Sequence, residues 1–250
     1  IVFGDWSSDV CSSDLDRVPF MKVFGGTNQV LPSWEAAHPG LKLRIDAELR
    51  FEGRHRGWDR APVNTDVSCV NRWEVISDDA SSRTARRADG MVKVFVKGRD
   101  FHQQTLQFPV RCRADWERIK AEFLDPDDPS RFPADWSTLA ADYRRRDYPL
   151  QLTHRGVYGF PRVLMGDEAL AYAFYDDPDL VHDIMDTYTD VAIRIWEKMV
   201  RDTDFDLIEC WEDMASKNGS MISPAMFREF MAPNYRRIRA FADAHGIPIV

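Results

Sequence analysis

The sequence predicts an α/β fold with a parallel sheet and helical crossovers, and three observations carry that prediction. Leu180, Ile184, Tyr188, Val191, Ile195 and Met199 recur every three or four residues, the buried stripe of one long helix. Phe205–Cys210 follows as a strand, after which Ser223-Pro224 and Pro233 open two further helices. His245–Val250 then reads as a helix end, a glycine stop and a strand that has only begun. Helix, strand, loop, helix, strand is the alternation of βα units.

Composition narrows the field. The 250 residues are 44% hydrophobic and 30% charged, enough for one large domain or two small ones. No apolar run approaches the ~18 residues that span a bilayer, so an integral membrane protein is excluded. A net charge of −8 without a basic tract argues against general nucleic-acid binding. Cys11, Cys69, Cys112 and Cys210 form no C-x-x-C pair, which points to a reducing, cytoplasmic setting. The histidines at 38, 55, 102, 154, 182 and 245 lack metal-ligand spacing.

The elements follow in order. Residues 1–15, with serine pairs among Asp5, Asp9 and Asp14, lack apolar periodicity and the order of a signal peptide. Asp5–Leu15 resembles the translation of a sequencing-adapter read, the alternative being a disordered native tail. Setting the segment aside turns the net charge of −8 into −5, since it holds those three acids and no base. Gly53–Pro62 reads as a polar loop and Trp73–Asp78 as a strand. Ser82–Arg87 and Met91–Lys97 flank Asp89-Gly90, a strong hairpin signal. A helix opens near Ala114 with Asp115 as its cap and Trp116, Ile119 and Phe123 on one face. The Pro-punctuated loop Asp125–Pro133, a polar helix over 134–147 and a strand over 148–153 come next. A short helix over 161–175 precedes Asp177-Pro178, an N-cap with proline at the first helical position.

In βα folds the chemistry sits at the carboxyl ends of strands and in the loops that follow. Two segments qualify. After the strand 205–210 come Trp211, Glu212 and Asp213; adjacent acids in an extended chain point apart, so one of them faces the mouth. Beside Trp211 and Met214 such an acid has a raised pKa and serves as proton donor or polar anchor, or else it bonds a neighbouring strand. The second segment is His154-Arg155-Gly156-Val157-Tyr158-Gly159. Its glycines let a ligand approach the backbone, while His154, Arg155 and Tyr158 offer an imidazole, a guanidinium fork and a hydroxyl. His154 as a structural hydrogen-bonder and Arg155 paired with a helix-end acid are the alternatives. His182, amid Asp179 and Asp183, reads as part of a solvated helix face, and Arg144-Arg145-Arg146 as a solvated helix end.

The run Leu164-Met165-Gly166, Asp176–Leu180, Asp206–Ala215 and Met221–Tyr235 resembles the uroporphyrinogen decarboxylase superfamily. Its most specific part is the strand, the acidic turn, the Ile222-Ser223-Pro224 helix pair and the His245–Val250 strand. A weaker likeness extends back to Asp16, so the domain implied is 16–250. The resemblance implies a (β/α)8 TIM barrel, incomplete at the C-terminus, with an N-terminal β-hairpin elaboration. Members of the family decarboxylate the acetate arms of uroporphyrinogen without a cofactor, or transfer methyl groups between corrinoid proteins and thiols using zinc. In the decarboxylases an acid engages the pyrrole N–H groups and arginines hold the carboxylates.

Departures from the family pattern are visible. The Arg-rich motif of the decarboxylases is replaced by Phe20-Met21-Lys22-Val23-Phe24-Gly25-Gly26. Asp66 is a distant counterpart of their catalytic acid, and Asp167 stands in an ungapped reading where they carry a tyrosine. The expectation is therefore a cytoplasmic, cofactor-independent decarboxylase of a tetrapyrrole-like or other carboxylate. Asp213 and Glu212 are its catalytic candidates, and His154, Arg155, Tyr158 and Trp211 line the pocket. Zinc enters only if ligands follow Val250. A zinc-dependent corrinoid or thiol methyltransferase and a non-catalytic tetrapyrrole- or corrinoid-binding barrel are the alternatives. The expected partners are a small tetrapyrrole or corrinoid-like molecule and a second copy in a homodimer, with neither nucleic acid nor membrane.

Overall fold

The computed structural model describes residues 30–41, 44, 59–98 and 103–250. The expectations for residues 1–15, Asp16, Phe20–Gly26 and most of the loop 53–62 lie outside them, as do His55 and His102. The chain divides into two compact units, Ile1–Asp59 with Asp147–Pro149 and Arg60–Arg146 with Leu150–Val250. In the first, α1 spans Val30–Ala37, and the Gly40 N–H donates to Glu35 Oε1 at 2.7 Å beyond its end. The two-residue strand β1 is Asp59–Arg60.

The second unit opens with an antiparallel sheet of β2 (Trp73–Asp78), β3 (Ser82–Arg87), β4 (Val92–Val96) and β5 (Gln103–Gln107), paired in that order. The expected hairpin is β3–β4, in register from Ser82↔Val96 to Arg86↔Val92. Its turn is held from inside: buried Asp89 takes an ion pair from Arg87 at 2.5 Å and the Met91 N–H at 3.1 Å. The hairpin grows into four strands because β5, Gln-Gln-Thr-Leu-Gln, pairs through its backbone and has no apolar alternation to announce it.

Helix α2 (Arg113–Phe123) buries Trp116, Ile119 and Phe123 as expected. The cap is corrected: Cys112 holds the N-cap position, and Asp115 sits in the first turn, where it accepts the Arg111 N–H at 3.0 Å. The Asp125–Pro133 loop contains one tight 3₁₀ turn, Pro129–Arg131, capped by Asp128. Helix α3 is Trp136–Tyr143, shorter than 134–147. Arg145 meets Asp142, whereas Arg146 reaches Asp206 at 2.6 Å with its side chain mostly covered.

Then come β6 (Leu150–His154), α4 (Gly159–Met165), α5 (Asp167–Asp176), α6 (Pro178–Asp202) and β7 (Leu207–Cys210). Strands β6 and β7 run parallel, from Gln151↔Leu207 to His154↔Cys210, and Ile249 adds a parallel bridge to Leu207. This is a mixed α/β protein with a parallel sheet. All six residues of the predicted α6 stripe are buried, and Asp177 caps the helix by accepting the Leu180 N–H at 3.1 Å. At about 1.5–3 kcal/mol for each large apolar side chain, that stripe is the principal anchor of the core. His182 is corrected too: it stacks on Phe230, ring centroids 4.3 Å apart, and Asp183 binds Trp116 and Lys120. The chain ends with the short hairpin β8 (Ala215–Ser216) and β9 (Gly219–Ser220), α7 (Pro224–Met226), a π-helical turn Phe227–Met231, and α8 (Ala232–Ala244).

The single helix predicted over 161–175 is two, broken at Gly166 with φ +83°. A Cβ there would stand 2.6 Å from the Phe108 ring. Gly166→Ala is therefore expected to lose about 1–3 kcal/mol in denaturant unfolding. An unchanged midpoint would contradict this account of the break.

Candidate functional site

Side chains alternate across a strand, so parallel β6 and β7 present two faces. Leu150, Leu152, His154 and Ile208 belong to one and are buried in the core. Thr153, Arg155, Glu209 and Trp211 belong to the other and line a cavity of about 500 Å³ with Arg60, Asn64, Thr65 and Asp66. The cavity sits at the carboxyl ends of the parallel strands.

Asp66 and Arg155, 89 residues apart, form its central ion pair. Nε of Arg155 donates to Asp66 Oδ2, and Nη2 stands in ion-pair contact with the same oxygen. Asp66 Oδ1 accepts the Val67 N–H at 2.8 Å, so the whole carboxylate is engaged. The loop holding Asp66 is fixed from beneath by Arg131, only 1% exposed. Arg131 donates to the carbonyls of Asp125, Asn64, Asp66 and Phe123 at 2.6–3.0 Å. Burial holds its guanidinium below the ordinary arginine range. Thr65 Oγ1 adds a bond to the Thr153 carbonyl at 3.1 Å, tying the loop to β6. On the same sheet face as Arg155, Glu209 Oε2 accepts from Arg60 at 2.8 Å and from Gln151 Nε2 at 2.7 Å.

The six residues expected to share one mouth fall in five places. Arg155 and Trp211, the latter 55% exposed, stand at the cavity. His154 touches its wall, but the imidazole is only 2% exposed and packs against Tyr188 and Trp196. Its Nδ1 accepts the Gly156 N–H at 3.0 Å, and burial drives its pKa down to about 3, so it stays neutral. Glu212 follows the core-facing alternation and turns beneath α4. There it accepts the N–H groups of Tyr158 at 3.2 Å and Gly159 at 3.1 Å, together with the Tyr235 hydroxyl. Tyr158 opens onto a separate groove beside Phe174, Tyr175 and Met221. Asp213 points outward to Arg162 at 2.8 Å. The two adjacent acids thus diverge, as an extended chain requires.

Gly156 makes the Glu212 arrangement possible. With φ +93°, it passes so close that a Cβ would stand 2.2 Å from the Trp211 carbonyl and 2.7 Å from the Glu212 carboxyl. Burial raises the Glu212 pKa above its ordinary 4.5, while Tyr235 and the backbone donors pull it down. Burial also pushes the Cys210 thiol up to about 12, which leaves it protonated and inert. Two residues of the cavity stand outside the two strand-end segments, although the family resemblance offers Asp66 as a distant counterpart of the catalytic acid. Glu209 lies within the strand, two residues before Trp211, and that even spacing is its signal. Asp66 depends on a long-range pairing that local pattern does not encode.

Residues 162–250 match the family model described as Uroporphyrinogen decarboxylase (URO-D). The match takes in Glu209, Trp211 and Glu212 and begins after Arg155. No curated protein and no solved structure matches the chain.

Replacing Arg131 by methionine leaves four carbonyls without their donor, and a loss of about 3–5 kcal/mol is expected in denaturant unfolding. A loss under about 1 kcal/mol would show that the loop does not depend on it. For Glu212 the folded pKa lies above the unfolded one, so the folded state binds more protons between the two values. Stability therefore falls as pH rises from about 4.5 through the folded pKa. Glu212→Gln is expected to lack that component, and identical pH profiles for variant and parent would contradict the assignment.

Proposed function

We propose, from the match of residues 162–250 to the uroporphyrinogen decarboxylase family model, that the chain forms a (β/α)8 barrel and decarboxylates a carboxylate substrate at the barrel mouth without a cofactor. One observation carries this reading: a guanidinium, Arg155, is held by a fully engaged carboxylate inside a cavity at the carboxyl ends of parallel strands. With Nε and Nη2 committed to Asp66, the Nη1 of Arg155 has no partner among the described residues. It takes the substrate carboxylate. Asp66 keeps the guanidinium from swinging, so little side-chain entropy is lost on binding.

The exposed indole of Trp211 offers an apolar face to the ring or chain that bears the carboxylate. Decarboxylation leaves the bonding electron pair on the α-carbon as CO2 departs, and a proton from solvent takes the vacated position. Fixed charges around the cavity stabilise the charge that develops, with no reorganisation at the moment of reaction. Glu212 acts indirectly, by pinning the Arg155–Gly159 loop to β7. No helix among the described residues is long and apolar enough to cross a membrane.

The test measures CO2 release from uroporphyrinogen and from simpler aromatic and heteroaromatic acids. Turnover of at least one is expected, and Arg155→Gln should lower its kcat/KM by about tenfold or more, since losing one partner of a hydrogen-bonded charge contact costs about 1.5 kcal/mol or more. Absence of CO2 from every acid, or an unaffected Arg155→Gln enzyme, would contradict the reading.

A further inference from the structure

We infer that the groove between α5 and the segment around α7 is a second binding site, and that it takes a small organic cation with an apolar body. The groove shares no lining residue with the Arg155 cavity, and its volume of about 450 Å³ suits a small molecule. Its walls are aromatic and soft. Phe174 lies parallel to Tyr158, ring centroids 6.3 Å apart, and Tyr175 adds a third ring. Met221 and Met226 contribute two thioethers. Tyr175 is 77% exposed and Met221 43%, so neither serves the core; large apolar side chains left this open beside one another mark a binding surface.

The polar groups of the groove all carry one sign. The Tyr158 hydroxyl donates to the Met221 sulfur at 3.7 Å, and the Tyr175 hydroxyl donates to the Met226 sulfur at 3.8 Å. With both protons committed, the hydroxyl oxygens are left as acceptors. The two charged residues of the lining, Asp167 and Glu168, are both acids. Arg162 binds Asp167 at 2.5 Å but also Asp213 at 2.8 Å, so one guanidinium is divided between two carboxylates. Glu168 is exposed and has no ion pair among the described residues. Helix α5 as a whole carries Asp167, Glu168 and Asp176 and no base.

Ring faces, thioether sulfurs, hydroxyl oxygens and carboxylates are all electron-rich. An anion meets repulsion among them, and a neutral apolar molecule leaves the carboxylates unanswered. An alkylated ammonium satisfies rings and acids together, through cation–π attraction on one side and charge on the other. The groove therefore selects the charge opposite to that of the carboxylate proposed for the Arg155 cavity.

The experiment titrates choline and 3,3-dimethylbutan-1-ol into the full chain carrying carbon-13 methionine methyl groups. The two probes share a shape and differ by one positive charge. Choline is expected to move the Met221 and Met226 methyl signals saturably, at about a tenfold lower concentration than the alcohol. Met221→Leu and Met226→Leu assign those signals. Tyr175→Leu should weaken choline about two- to fivefold, the loss of one exposed cation–π contact, and Glu168→Gln about two- to threefold. Arg155→Gln should leave choline binding unchanged, which separates this site from the carboxylate cavity. Equal response to the two probes, or choline leaving both signals still, would overturn the inference. So would a lysine-containing tripeptide that binds more tightly than choline, marking a surface for protein side chains, or signals that shift with protein concentration alone, marking contact with a second copy.

Discussion

Parallel pairing of β6 with β7 is the constraint from which the rest of the site follows. Because Gln151 faces Leu207 and His154 faces Cys210, the residues that alternate with them are sorted onto two sides of one sheet. Thr153, Arg155, Glu209 and Trp211 go to the cavity; Leu152, His154 and Ile208 go to the core under α6. A one-residue slip would exchange the sets, burying a guanidinium and a carboxylate while exposing apolar side chains. Burial of the α6 stripe against the core face is what makes that slip prohibitive.

Beyond the strand ends the same alternation continues and determines what each polar group is for. Glu212 falls on the core side, and its carboxylate satisfies the open N–H groups at the start of α4. Anion binding at a helix N-terminus is here an internal fastener, one that ties the loop carrying Arg155 to the strand carrying Glu209. Gly156 and Gly159 serve the fastener by admitting the Trp211 carbonyl at distances no side chain tolerates. Arg131 does the equivalent for the Asp66 loop, with four carbonyls as partners. Two buried anchors thus hold the two halves of one ion pair.

Local patterns in the sequence account for the elements better than for the site. The α6 stripe, the Asp177-Pro178 cap and the Asp89-Gly90 hairpin are legible because each is specified by neighbours within a turn or two. Strand β5 is not, since its polar residues owe their conformation to pairing with β4. The break at Gly166 is hidden because its reason is the Phe108 ring, far away in sequence. Arg155 and Trp211 are marked by their place after strands; Asp66 is marked only by the family resemblance, its pairing with a residue 89 positions distant being beyond local pattern, and Glu209 needs the alternation carried back into the strand. His154 has the chemistry of a site residue but occupies a core-facing position, a parity already written in the alternation of Leu150, Leu152 and His154.

The central claim is that the outward nitrogen of Arg155 receives a carboxylate. Nitrogen-15 NMR of the arginine guanidinium groups during titration with a small carboxylate observes that nitrogen directly. The account predicts that one arginine signal moves and saturates, and that this signal is missing from the spectrum of Arg155→Gln. Saturable movement of signals that survive in Arg155→Gln, with the Arg155 resonance stationary, would contradict it.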